Sequence, residues 1–80
     1  MAPTLADVRV DIYTYLTNMG HNPYELIINI FENRGNVWYI EGEFQKGLLG
    51  DRVRFEVDYA FLTRTVSKIK IHQGTGHESI

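Results

Sequence analysis

The segment Asn33-Arg34-Gly35 constrains the fold most, because it separates two stretches of alternating large apolar residues. Leu26, Ile28 and Ile30 precede it, and Trp38, Ile40 and Phe44 follow. Asparagine and arginine suit a type I turn, and glycine suits the left-handed position after it, so a three-residue hairpin loop is predicted. In that register Glu32 faces Asn36, Ile30 faces Trp38, Ile28 faces Ile40 and Leu26 faces Gly42. A slip of one residue would set Asn29 against Ile40 and turn the apolar set away from the core.

The flanking segments extend this unit. Leu5, Val8, Ile12, Tyr15, Leu16 and Met19 recur at helical spacing, which predicts an amphipathic helix over 5–19. Thr4 with Asp7 has the form of a capping box, and Gly20 supplies a left-handed stop. Residues 22–32 read two ways. Asn22-Pro23-Tyr24-Glu25 has the form of a helix start, whereas Leu26-Ile27-Ile28-Asn29-Ile30-Phe31 is β-branched and aromatic. The hairpin favours a short turn followed by a strand.

Between Arg52 and Phe61, Val53, Phe55, Val57, Tyr59 and Phe61 alternate with Arg52, Arg54, Glu56, Asp58 and Ala60, the pattern of a half-buried antiparallel strand. A loop at Leu62-Thr63-Arg64 leads into a last strand, 66–73, with Ile69 and Ile71 inward and Lys68, Lys70 and His72 outward. Pairing Val57 with Ile69 also pairs Asp58 with Lys68 and Glu56 with Lys70. Pairing Ile40 with Val57 sets Gly42 opposite Phe55, whose ring can cover the bare backbone, and Glu41 opposite Glu56.

The expected architecture is α+β: an N-terminal helix packed on a four-stranded antiparallel meander, α-β-β-β-β. The alternative is α-α-β-β-β with residues 23–34 helical. One domain is expected over 1–73, with the small polar residues 74–80 as a flexible tail. This arrangement resembles the cystatin-like group of folds over residues 4–73, a likeness of topology. True cystatins inhibit proteases through a Gln-x-Val-x-Gly loop. Gln45-Lys46-Gly47-Leu48-Leu49 has neither that valine nor the final glycine in place, so the inhibitory role is not implied.

The chain has 80 residues and no cysteine, which excludes disulfides and thiolate metal ligands. A core of this size rarely supplies more than roughly 3–5 kcal/mol, so association with a partner or a second copy would matter energetically. A net charge of −2 argues against binding nucleic acid by bulk electrostatics. No apolar run reaches bilayer length and no signal-peptide pattern opens the chain, so a cytoplasmic protein with no membrane contact is expected.

The chemistry-bearing residues are sparse. His21, His72 and His77 lack the spacing of a metal site or dyad, so neither metal nor cofactor is expected. Glu41 and Glu56 could perturb one another, but Lys70 beside Glu56 opposes this and an outer sheet face excludes no water. No phosphate loop or nucleophile motif is present, so no enzymatic activity is expected. Arg52, Arg54, Arg64, Lys68 and Lys70 gather on the last hairpin, with Tyr39 near. They form a weak candidate for nucleic-acid contact, interleaved with Glu41, Glu43, Glu56 and Asp58.

The strongest signal is apolar. If Leu26, Ile28 and Ile30 face the helix, then Ile27, Phe31, Val37 and Tyr39 point away from it and form an exposed patch. The expected function is a small non-enzymatic binding or assembly module that self-associates or docks a protein partner through its sheet. The rival is a small-ligand binder with a pocket between helix and sheet, walled by Tyr15, Trp38 and Tyr59.

Overall fold

The N-terminal helix begins where Thr4 closes a capping box: its hydroxyl accepts from the Asp7 amide at 3.1 Å, and the Asp7 carboxylate accepts from the Thr4 amide at 3.0 Å. Helix α1 runs Leu5–Asn18 and ends before Gly20, whose φ of +96° suits only glycine well. Of its apolar residues, Val8, Ile12 and Leu16 are buried. Leu5 and Met19, expected on that inner face, are exposed.

The structure, a computed structural model, describes residues 3–72; the predicted 74–80 tail and His77 lie outside the described residues. Four strands follow α1: β1 Pro23–Asn33, β2 Trp38–Lys46, β3 Arg52–Ala60 and β4 Thr65–His72. They form one antiparallel sheet in the order β1-β2-β3-β4, so β1 and β4 are its edges. The alternative helix over 23–34 is thereby excluded. Ile40 and Phe44 of β2, with Val53, Phe55, Val57 and Tyr59 of β3, meet α1 across the core, joined by Leu26 and Val66 from the edges.

The central pairing follows the predicted register, and the C-terminal one does so as far as Asp58–Lys68, after which a bulge sets Tyr59 opposite Val66. Ile40 lies opposite Val57, Gly42 opposite Phe55 and Glu41 opposite Glu56. Val57 lies opposite Ile69, Glu56 opposite Lys70 and Asp58 opposite Lys68. A Cβ at Gly42 would fall 2.7 Å from the Phe55 ring and 2.2 Å from the Ile27 carbonyl oxygen. The missing side chain lets both approach.

The first hairpin departs from its prediction. Asn33 pairs with Trp38, so the connection is Arg34–Val37, longer than the expected loop. The Asn33 side chain accepts from the Gly35 amide, and the Val37 carbonyl accepts from the Arg34 amide. Gly35 does take the left-handed conformation, at φ +83°. The register then shifts between Ile28 and Ile30, and again between Tyr24 and Ile27. These β-bulges insert residues without a partner and reverse the facing of what lies beyond them. Leu26 and Ile28 remain inward, but Ile30 turns outward opposite Glu41 while Phe31 turns inward opposite Ile40.

The shifted register has identifiable support. Phe31 packs on the Trp38 ring at 4.9 Å, and Trp38 stacks on Phe61 at 4.8 Å and Tyr59 at 5.9 Å. At the second irregularity Glu25 adopts φ +51°, and Arg52 donates to its carbonyl at 3.2 Å. Asn29, at the first, donates to Glu43. At Glu25 a side chain thus satisfies a backbone acceptor displaced from the ladder.

Candidate functional site

The expected patch of Ile27, Phe31, Val37 and Tyr39 does not share one face. Ile27 is outward, opposite Glu43, and 45% exposed. Phe31 belongs to the opposite face beside Trp38, because the bulge near Asn29 shifts it by one position. Val37 lies in the connecting turn, where its carbonyl accepts from Arg34. Tyr39 is outward and covered by polar partners: the Arg34 guanidinium lies 4.1 Å above its ring, and its hydroxyl donates to Glu41 at 2.5 Å. The nearby Glu41 carboxylate holds the Tyr39 phenol well above its ordinary range.

What replaces that patch is the flank of the sheet along β1. Tyr24, Ile27 and Ile30 are exposed on its outer side, and Ile30 is 47% exposed although the expected register made it core. On the inner side a groove of about 430 Å³ separates β1 from α1, lined by Ala6, Arg9, Val10, Tyr13, Glu25 and Leu26 among others. A second stretch of about 330 Å³ continues it toward Leu5, Ile27 and Ile28, sharing Ala6, Arg9 and Leu26. Val10 and Tyr13, which lie outside the apolar set of the helical pattern, stand exposed on the groove's rim. Their place was visible in the sequence only as apolar residues out of phase with Val8, Ile12 and Leu16.

The other flank of α1 carries polar contacts beside a smaller groove of about 270 Å³, lined by Asp11, Thr14, Tyr15, Arg64 and Val66 among others. Asp11 accepts from Arg64 twice, Nε to Oδ2 and Nη2 to Oδ1, each at 3.0 Å. Its Oδ2 also accepts from the buried Tyr59 hydroxyl at 2.5 Å. The Arg64 guanidinium, first among the causes, holds the Asp11 carboxyl below its usual range. Burial, followed by the Asp11 hydrogen bond, pushes the Tyr59 phenol up to about 12. The Tyr59 hydroxyl is therefore committed to the helix, and Trp38 is stacked between Phe31, Tyr59 and Phe61. Tyr15, the third wall of the expected pocket, instead lines the smaller groove on this flank with Asp11, Arg64 and Val66.

The basic candidates on the outer face are interleaved with acids. Arg52 donates to Glu43 at 2.9 Å and reaches Glu25 at 3.5 Å, so its charge fastens β1 to the sheet. That contact, first among its causes, lowers the Glu43 carboxyl below its ordinary value. Arg54 stands opposite Glu43 on one side and His72 on the other. Lys68 and Lys70 lie opposite Asp58 and Glu56. The His72 ring sits 2.7 Å from Glu56 and, ahead of the Tyr39 hydroxyl, lowers the Glu56 carboxyl. The Glu41–Glu56 juxtaposition thus carries a phenol and an imidazole as partners. His21 lies edge-on to Phe44.

Among the described residues, no group of three or more histidines and carboxylates could hold a metal ion, and no helix is long and apolar enough to cross a membrane. Comparison of the chain with protein-family models, with curated proteins and with solved structures finds no match.

Proposed function

We propose that this protein is a non-enzymatic binding module that docks a protein through the β1 flank of its sheet. The observation that carries the reading is the contrast between its two edge strands. Natural sheets protect an edge with charged side chains, especially lysine, and an apolar edge invites another chain. Strand β4 presents Lys68 and Lys70 outward, whereas β1, although bulged and carrying Glu25 and Glu32, presents Tyr24, Ile27 and Ile30 and has no lysine. A small core makes such an association energetically useful, because anything that binds the folded chain stabilises it.

Site-specific photo-crosslinking tests the reading. A crosslinking residue at Ile27 or Ile30 is expected to give discrete protein adducts in the native cell extract, and one at Lys68 or Lys70 none. Equal yields from both edges, or none from either, would remove the reading.

A further inference from the structure

The start of β1 holds a strained residue. Among the described residues two that are not glycine have a left-handed backbone, Glu25 at φ +51° and Arg64 at φ +54°. Arg64 sits in a turn, where such a conformation is ordinary, whereas Glu25 lies inside a strand. A Cβ resists that conformation, and Glu25 lacks the short polar side chain that would bond its own backbone in compensation. Such a residue persists only where surrounding contacts impose it.

Those contacts come from Arg52. From β3 it reaches across β2 to β1: it donates to the Glu25 carbonyl at 3.2 Å, lies 3.5 Å from the Glu25 carboxylate and donates to Glu43 at 2.9 Å. Gln45, which stands between Arg52 and Tyr24 in the sheet, turns its own amide to the Leu48 carbonyl at 2.6 Å and leaves the path open. A planar guanidinium can hold three oxygens on two strands at once, whereas an ammonium is a single point charge.

We propose that Arg52 is the clamp of a register switch at the start of β1. With the clamp closed, Glu25 and Leu26 together stand opposite Phe44, Tyr24 pairs with Gln45, and Pro23 is buried. With it open, Glu25 relaxes to extended backbone and the bulge is lost. Leu26 alone then pairs with Phe44, Glu25 with Gln45 and Tyr24 with Lys46. Side chains alternate along a strand, so this one-residue shift turns Tyr24 from the outer side to the side of α1 and brings Pro23 out. Leu26 faces the core in both states, and the pairs Ile27–Glu43 and Ile28–Gly42 are common to both, so the exchange stops there. The switch exists whether or not β1 docks a protein.

Nuclear Overhauser contacts in the full chain test this. Wild type is expected to show Tyr24 against Gln45. Losing a charge-assisted hydrogen bond is enough to shift such an equilibrium about tenfold, so Arg52→Ala should replace those contacts with Tyr24 against Lys46 and bring the Tyr24 ring onto α1. Contacts between Ile28 and Gly42 should persist. Glycine takes the left-handed conformation without a clamp, so adding Glu25→Gly to Arg52→Ala should restore Tyr24 to Gln45. Tyr24–Gln45 contacts unchanged in Arg52→Ala overturn the proposal. Their loss without recovery by Glu25→Gly overturns it too, because Arg52 would then act on the whole sheet and not on the strained residue. Should Arg52→Ala fail to fold, Arg52→Lys with and without Glu25→Gly gives the same comparison and the same two overturning results.

Discussion

The two flanks of α1 are held by different kinds of force. Toward β4, a bidentate guanidinium and a phenol converge on one carboxylate in the middle of the helix, a directional arrangement that fixes the helix angle. Toward β1, contact is apolar and incomplete, and it ends in a groove. Dispersion and burial are non-directional, so that side can accept a further surface without losing a defined geometry. The comparison suggests a division of labour within one short helix: one flank sets the fold, and the other is available for contact.

The largest expected effect breaks the β1 side from within. At Gly42 a methyl group would meet the Ile27 carbonyl and the Phe55 ring, so β1 or the core ring must move. Gly42→Ala is expected to cost about 3 kcal/mol, the upper end for overpacking a filled site. Urea unfolding should show the lower midpoint. Amide exchange should accelerate first along β1, while the Asp11–Arg64 side keeps its protection. Uniform loss of protection would mean that the two flanks are not separable.

Next comes the polar flank. Asp11→Ala leaves the buried Tyr59 hydroxyl and the Arg64 guanidinium without their shared acceptor, and about 2 kcal/mol of stability should go with it. Tyr59→Phe should cost less, because it removes a donor and strands no charge. A double-mutant cycle between the two should show clear coupling. The pH dependence has a defined sign. Asp11 has its folded pKa lowered, chiefly by Arg64, so its contribution is complete above the ordinary carboxylate range and is lost as pH falls through the lowered value. Acid titration of stability should be visibly shallower in Asp11→Asn than in wild type, with a remaining slope from Asp7, Glu43 and Glu56, whose carboxyls are lowered as well.

The same contrast governs how much could be read from residues alone. Strands β2 and β3 were legible through strict alternation, and β4 through the opposite charges at Asp58–Lys68 and Glu56–Lys70, although its register shift beside Tyr59 left no such mark. Strand β1 was legible as a strand but not in its register. In Leu26-Ile27-Ile28-Asn29-Ile30-Phe31 nearly every position is apolar, so the pattern cannot say which residues are inward or where a bulge absorbs the excess. Gly42 was the one local signal, and it pointed to a close approach without saying which residue of β1 made it. The Asp11–Tyr59–Arg64 cluster joins positions up to 53 apart, which no local spacing reveals. The groove followed the same rule: Val10 and Tyr13 are unremarkable until β1 takes its place beside them.

A smaller effect should come from the helix start, which both flanks share. Thr4→Ala removes the acceptor for the Asp7 amide and should cost about 1 kcal/mol. Fraying would reach Leu5 and Ala6 first, and these line the groove, whereas Asp11 lies deeper in the helix. Amide exchange should therefore rise at the groove's end and stay low around Asp11. A matched rise at both would put the cap, not the flank chemistry, in control of the helix.

The smallest expected effect is the most discriminating. Val10 is exposed and supports no core contact, so Val10→Lys should change the stability of the isolated chain by less than about 0.5 kcal/mol. Measured by urea unfolding at high dilution, the substitution should be nearly silent. A large loss at high dilution would show that the rim of the groove is part of what holds α1 to the sheet, and the two flanks would then do the same work by different chemistry.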